Sequence, residues 1–494
     1  MSFDALLKLG LAEVSSSLSK REISSLELTQ YMLARINKTD DALGAYLIVD
    51  EQGALKAASD SDERRRNNAP LGGLDGVPVA LKDMILTKGL KTTAASRMLE
   101  NYIPPYEATV SQRLKDAGAI VLGKLNQDEF AMGSSNESSA FKICRNPWDL
   151  TRTPGGSSGG SAACVAGALA FGTLGTDTGG SIRQPASYCG ITGLKPTYGR
   201  VSRFGVVAFA SSLDQVGPMT KDVRGCAEML QAISGHDERD STSVKVPVDD
   251  YVGKLNGQIK GLRIGVPREF DVGGLDEEVS QNVQNAVRAL KELGATIVDI
   301  SLPSTPHAVA TYYVLSCAEA SSNLSRYDGV RFGPRLGANV GLRAMYEQTR
   351  GELFGPEVKR RILLGTYVLN AGYYDAYYVR AQKVRRLFRN DFDQAFTSVD
   401  AIICPTAPTT AFKLGEKTAD PLKMYLNDIF TISANLAGLP ALSLCSGVSK
   451  EGLPIGTQLI GKPFEESVVL NIAYALEQTL KVENVSPFAL RAHT

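Results

Sequence analysis

Residues 154–183 read PGGSSGGSAACVAGALAFGTLGTDTGGSIR: two serine-bearing glycine clusters enclose a helix-compatible stretch of small residues. Glycine admits positive φ and carries no Cβ, so successive backbone N–H groups can converge on one point and bind an anion. The second cluster, Thr178-Gly179-Gly180-Ser181, sets a hydroxyl beside such a nest, the combination that an acyl-transfer nucleophile with an oxyanion hole requires. Phosphate binding is the competing use of glycine-rich loops. Neither cluster ends in Gly-Lys-Ser/Thr and neither carries Gly-x-Gly-x-x-Gly after a strand, so both nucleotide fingerprints are missing. Two flexible linkers without chemistry are the remaining alternative.

Upstream, GVPVALKDMI at residues 76–85 places Lys82 at the end of a short apolar run flanked by Gly and Pro, which reads as a buried strand. A buried lysine loses its charge more readily than an exposed one and can then accept a proton near neutral pH. A surface lysine capping the strand, or one paired with Asp83, is the plainer reading of the same residue. The chain holds only His236, His307 and His493, none in a motif-like setting. A serine hydrolase built here therefore needs another base, and Ser-Lys catalytic arrangements exist.

Lys82, PGGSSGGSAA around Ser157, and GTDTGGSIRQPASYCGITGLKPTYGRVS around Ser181 resemble the amidase signature family with its Ser-Ser-Lys triad. The resemblance implies Ser181 as nucleophile, Ser157 as the bridging serine after a cis Gly156-Ser157 peptide, and Lys82 as the base. Ser158 and Ser161 are then hydrogen-bonding support, and the backbone of Thr178, Gly179, Gly180 and Ser181 forms the oxyanion hole. It also implies an α/β fold: a large, mainly parallel mixed sheet covered by helices on both faces, as one domain over residues 1–494. Residues 1–70 are expected as a helical region packing on that core, and 235–257 as an exposed connection.

Four further segments narrow the resemblance: 123–149, 319–333, 355–385 and 424–444. They are similar to the glutaminase subunits of bacterial tRNA-dependent amidotransferases, and the similarity runs from about residue 4 to about residue 480. By that resemblance the substrate is glutamine, with Arg361 on its α-carboxylate, Asp428 on its α-ammonium and Tyr312 close by. The alternative for Arg361 is one more solvated charge on the basic face Lys359-Arg360-Arg361. The resemblance further implies a heterotrimer. A B subunit carries ATP and magnesium and most of the tRNA contact, a C subunit wraps this chain, and ammonia passes inside to amidate Glu-tRNA(Gln), Asp-tRNA(Asn) or both. A stand-alone amidase acting on another carboxamide is the alternative function.

The bulk composition fits a soluble catalytic chain. Its 494 residues exceed a usual single core, and 53 basic against 53 acidic residues leave no net field to attract RNA. Seven cysteines, an odd number without metal-ligand spacing, indicate a reducing compartment and no metal site. No cofactor is expected in this chain, no membrane contact, and the cytoplasm is the expected location. Along the chain, Ser24-x-x-Glu27 reads as a capping box. Helix 109–117 before strand 119–125, and helix 276–293 between strands 261–267 and 295–301, give the alternation of an α/β sheet. Residues 160–170 read as a helix, and long helices are expected over 356–396. The tyrosines at 367, 373, 374, 377 and 378 are expected to pack rather than to stack on nucleic acid.

Overall fold

The computed structural model describes residues 3–270, 274–337 and 339–491. The apolar run ahead of Lys82 forms a strand with all five residues buried, and the β-branched and apolar stretches downstream do the same. In chain order the strands are β1 Tyr46–Val49, β2 Pro78–Lys82, β3 Ile120–Leu125, β4 Gly172–Asp177, β5 Thr192–Lys195 and β6 Gln215–Thr220. They continue as β7 Arg263–Pro267, β8 Thr296–Ile300, β9 Ala401–Pro405, β10 Ala441–Val448 and β11 Pro454–Gly461. Among the described residues they form one 11-stranded sheet ordered β1-β3-β2-β4-β6-β5-β10-β11-β9-β7-β8. Strands β2, β3, β4, β6, β9 and β11 are buried at every position, which requires cover on both faces. Helices supply it, among them Gly159–Ala166 against β4 and β2, Val223–Ile233 against β6, and Glu466–Leu480 against β10 and β11.

The α/β class and the mixed sheet are as expected, but the sheet is not mainly parallel. Parallel pairing is confined to β3-β2-β4 and β9-β7-β8, and the other neighbours run antiparallel. The strand–helix–strand alternation visible in the sequence builds the two parallel blocks. The centre is joined differently: β10 and β11 form a hairpin across a short turn, and a tight connection pairs strands antiparallel.

The parallel block positions the chemistry. Because β2 and β4 run the same way with Leu81 opposite Leu174, their carboxyl ends reach one edge, where ligand sites of open sheets form. Lys82 ends β2 there, and β4 delivers residues 178–181 to the same edge.

Other expectations resolve locally. The Ser24–Glu27 capping box is formed at the head of helix Ser25–Leu43, which a left-handed Gly44 ends. The small-residue helix is shorter than expected and stops before Ala168, whose φ is positive. The long helical region is interrupted by a π-helical turn at Asp375–Val379 between helices Pro356–Leu369 and Arg380–Ala395. Tyr367, Tyr373, Tyr374 and Tyr377 do not pack into the core: each is at least 40% exposed. They pack on one another instead, Tyr367 on Tyr373 with centroids 4.4 Å apart and Tyr374 on Tyr378 at 5.2 Å. The last pair lies at the i, i+4 spacing that aligns side chains on a helical turn.

Candidate active site

Lys82 is fully buried, and its Nζ meets three hydroxyls: Ser157 Oγ at 2.6 Å, Ser158 Oγ at 2.9 Å and Thr176 Oγ1 at 2.8 Å. Two of these hydroxyls spend their hydrogens elsewhere, Ser158 on the Thr176 carbonyl at 3.0 Å and Thr176 on Met84 Sδ at 3.1 Å. They can only accept from the amine. A neutral amine has two N–H bonds and one lone pair, so after serving Ser158 and Thr176 its lone pair is left for the Ser157 O–H. Burial lowers the Lys82 pKa to about 7, against the attraction of Asp128, Asp177 and Asp214. The amine is thus poised to exchange a proton at neutral pH.

Ser157 follows a cis peptide from Gly156, and Ser161 bonds the Leu174 carbonyl on β4 at 3.3 Å. Ser181 lies at the end of the loop leaving β4 and keeps 9% exposure where Ser157 has none. Its carbonyl accepts the Ser158 N–H at 3.1 Å, which ties the two glycine clusters together. No hydrogen bond joins the Ser157 and Ser181 hydroxyls in the free chain; such catalytic bonds commonly close only around substrate. Among the described residues the N–H groups of Gly179, Gly180 and Ser181 donate to no protein acceptor, leaving three donors beside the Ser181 hydroxyl. Gly180 adopts φ +144°, and a Cβ there would fall 2.2 Å from Thr431 Oγ1. Only glycine fits that close approach.

Behind the loop, Arg183 and Asp177 form a bidentate pair, both bonds at 3.0 Å and both residues fully buried. Asp177 also accepts the Ile182 N–H at 3.2 Å, and Arg183 reaches Thr431 O, Gln458 and Asn435. Removing one member of a buried, fully bonded pair strands the other. Arg183→Met is therefore expected to lower stability by about 3–5 kcal/mol, read by denaturant unfolding; a loss under about 1 kcal/mol would contradict the bracing assigned to this pair.

Arg361 is not part of a solvated basic face. Lys359 and Arg360 are exposed, while Arg361 is buried. Its guanidinium carbon lies 5.5 Å from the Phe209 ring centre, 5.2 Å from Tyr313 and 5.5 Å from Tyr425, and its Nε holds Glu357 at 2.8 Å. Asp428 is buried too. Its Oδ2 accepts the Ser134 hydroxyl at 2.5 Å, and its Oδ1 has no partner. Burial raises its pKa to about 7, against that hydrogen bond. An orphaned, buried carboxylate oxygen is a place for a cation to dock. Ser134 and Arg361 line a cavity of about 290 Å³ whose wall includes Glu357 and Tyr425. Tyr312 packs over the nucleophile loop, where a Cβ on Gly179 would meet its ring at 2.6 Å.

Several participants escape the sequence reading. Thr176 sits inside the quoted run and faces the same edge as Lys82, a position that strand register alone could have suggested. Glu357, four residues before Arg361 on one helix, is a visible i, i+4 partner. Ser134, Tyr313, Tyr425 and Thr431 reach the site only through tertiary packing. Among the described residues no group of three metal-ligating side chains occurs, and no helix is long and apolar enough to cross a membrane.

A family model described as Amidase matches residues 27–470. A Geobacter metallireducens protein named as the A subunit of glutamyl-tRNA(Gln) amidotransferase is 58% identical over 473 residues, 96% of this chain and 97% of that one. The crystal structure of the protein of that name from Thermotoga maritima has a TM-score of 0.80 at 45% identity, covering 97% of this chain and 95% of the other. Peptide amidase from Stenotrophomonas maltophilia superposes with a TM-score of 0.81 at 31% identity, over 96% and 97% of the two chains. A model match over most of the length and relatives this similar leave one assignment: the chain belongs to the amidase signature family.

Proposed function

We infer that this chain is the glutaminase subunit of a tRNA-dependent amidotransferase. The observation that carries the reading is the pairing of a hydroxyl-bound, neutral-poised Lys82 with a pocket that offers a buried guanidinium and an unpaired carboxylate oxygen. Glutamine supplies the matching α-carboxylate and α-ammonium. With Arg361 and Asp428 holding those groups, the side-chain carboxamide extends toward Ser181.

In the proposed reaction Ser157 gives its proton to Lys82 and takes that of Ser181, whose Oγ bonds to the carboxamide carbon. The N–H groups of Gly179, Gly180 and Ser181, with Thr178 completing the loop, receive the oxyanion. As the C–N bond breaks, Ser157 returns a proton to the nitrogen and ammonia leaves, with the γ-glutamyl ester on Ser181. Water adds by the reverse relay and glutamate departs. The name shared by the relatives supports the rest of the assembly. In it, B and C subunits join this chain in the cytoplasm, the B subunit uses ATP and magnesium and holds the tRNA, and the ammonia amidates Glu-tRNA(Gln), Asp-tRNA(Asn) or both.

The test combines assembly and nitrogen source. The tagged chain is expected to co-purify with two partner subunits, and the complex to convert Glu-tRNA(Gln) with ATP and either glutamine or ammonium chloride. Asp428→Asn keeps the shape but loses the charge, so KM for glutamine should rise about 10- to 100-fold, with turnover on ammonium chloride unchanged. Hydrolysis of other carboxamides with none of glutamine would instead identify a stand-alone amidase.

A further inference from the structure

Segment 209–214 touches both halves of the site without belonging to either. At one end the Phe209 ring lies 5.5 Å from the Arg361 guanidinium carbon. At the other, Asp214 Oδ1 accepts the Thr178 hydroxyl at 2.7 Å and the Ala210 N–H at 3.1 Å, while Oδ2 accepts the Phe209 N–H at 3.0 Å. Three donors converge on one buried carboxylate, so its acceptor-only chemistry is fully used. The middle of the segment is held just as closely. Asn323 donates to Phe209 O at 3.1 Å, Tyr198 to Ser211 O at 2.8 Å, and Arg385 to Ser212 O at 2.8 Å. Glu319 takes the Ser212 N–H at 2.9 Å and its hydroxyl at 2.6 Å. Braced backbone of this kind transmits position, because it has no second arrangement within reach.

We propose that Asp214 is a positioning residue for the oxyanion loop, and that segment 209–214 is a rigid strut setting the distance between the Arg361 guanidinium and Thr178. The inference rests on the glutaminase reading. Thr178 gives its only hydroxyl hydrogen to Asp214, which fixes the residue from which the Gly179, Gly180 and Ser181 N–H groups are hung. A strut matters because the α-carboxylate and the carboxamide belong to one molecule: their separation must match the distance between guanidinium and anion hole. Misplacement of a reacting group by about 1 Å costs on the order of 10²-fold in rate.

The test is a double-mutant cycle on glutamine hydrolysis by the assembled complex, using Asp214→Asn, Thr178→Val and the pair. Wild-type turnover of glutamine tests the functional reading by itself; the cycle, run on an active enzyme, tests Asp214. Each single variant is expected to lower kcat about 100-fold with KM within about threefold, and the double variant to fall no further than either single. Thr178→Ser, which keeps the hydroxyl and leaves Asp214 in place, is expected to recover at least about tenfold of the Thr178→Val loss, so the proposal stands or falls even if Asp214→Asn does not fold. Multiplying losses in the double variant, a rise in KM with kcat intact, or no recovery by Thr178→Ser would each overturn it.

Discussion

Ser181→Ala is expected to reduce glutamine hydrolysis by about 10⁴-fold or more, and to abolish the covalent γ-glutamyl adduct that slow turnover accumulates on the wild-type chain. The size follows from position. Ser181 is the site hydroxyl with no partner in the free chain and some exposure, and three free N–H donors lie beside it. Without its oxygen the donors and the pocket remain but nothing attacks. Ser157→Ala breaks a different link. Lys82 then faces no acidic proton, so kcat is expected to fall about 10²- to 10⁴-fold. Mass spectrometry of trapped intermediate separates the two roles: an adduct mapped to Ser157, or one persisting in Ser181→Ala, would exchange the assignments of nucleophile and shuttle. Ammonium-dependent amidation by the complex is expected to survive both substitutions, because it bypasses this chemistry.

What the sequence made legible has a physical boundary. The glycine clusters could be read because a nest needs glycine at fixed places, and Gly180 at φ +144° against Thr431 bears that out. The lysine could be read because an apolar strand ending in a charge is anomalous, and Lys82 is indeed wholly buried. Arg361 and Asp428 depended on resemblance alone, since a basic triplet and an Asn-Asp pair carry no intrinsic signal. Their burial, under three rings and beside Ser134, arises from contacts between segments far apart in the chain. The sheet was misjudged for a related reason: helix–strand alternation reports the two parallel blocks, but the pairing of β5, β6, β10 and β11 is set by which strands meet in space. The exposed tyrosines show the opposite error, aromatic residues read as core where they cover one another on the surface.

Lys82→Met should fill the same volume without a proton acceptor, lowering kcat about 10²- to 10⁴-fold, and its pH profile is more diagnostic than its rate. In the wild type, Lys82 works deprotonated and has a pKa lowered to about 7; Asp428 binds an ammonium only when ionised and has a pKa raised to about 7. Both active forms lose a proton, so kcat/KM for glutamine is expected to climb with pH through about 7 and level above it, with a slope approaching two on the acid side. In the Michaelis complex Asp428 is paired with the substrate ammonium, which favours its ionised form. The kcat limb therefore belongs to Lys82 alone and has a slope of one. Lys82→Met is expected to erase that kcat limb while leaving the Asp428 limb in kcat/KM. Lys82→Arg supplies the decisive contrast: it keeps a cation at the end of β2 but has no lone pair and does not deprotonate. If the positive charge were what the three hydroxyls require, arginine would restore turnover. If the neutral amine is required, Lys82→Arg falls at least as far as Lys82→Met, and recovery beyond about tenfold over Lys82→Met would rule out proton acceptance by this residue.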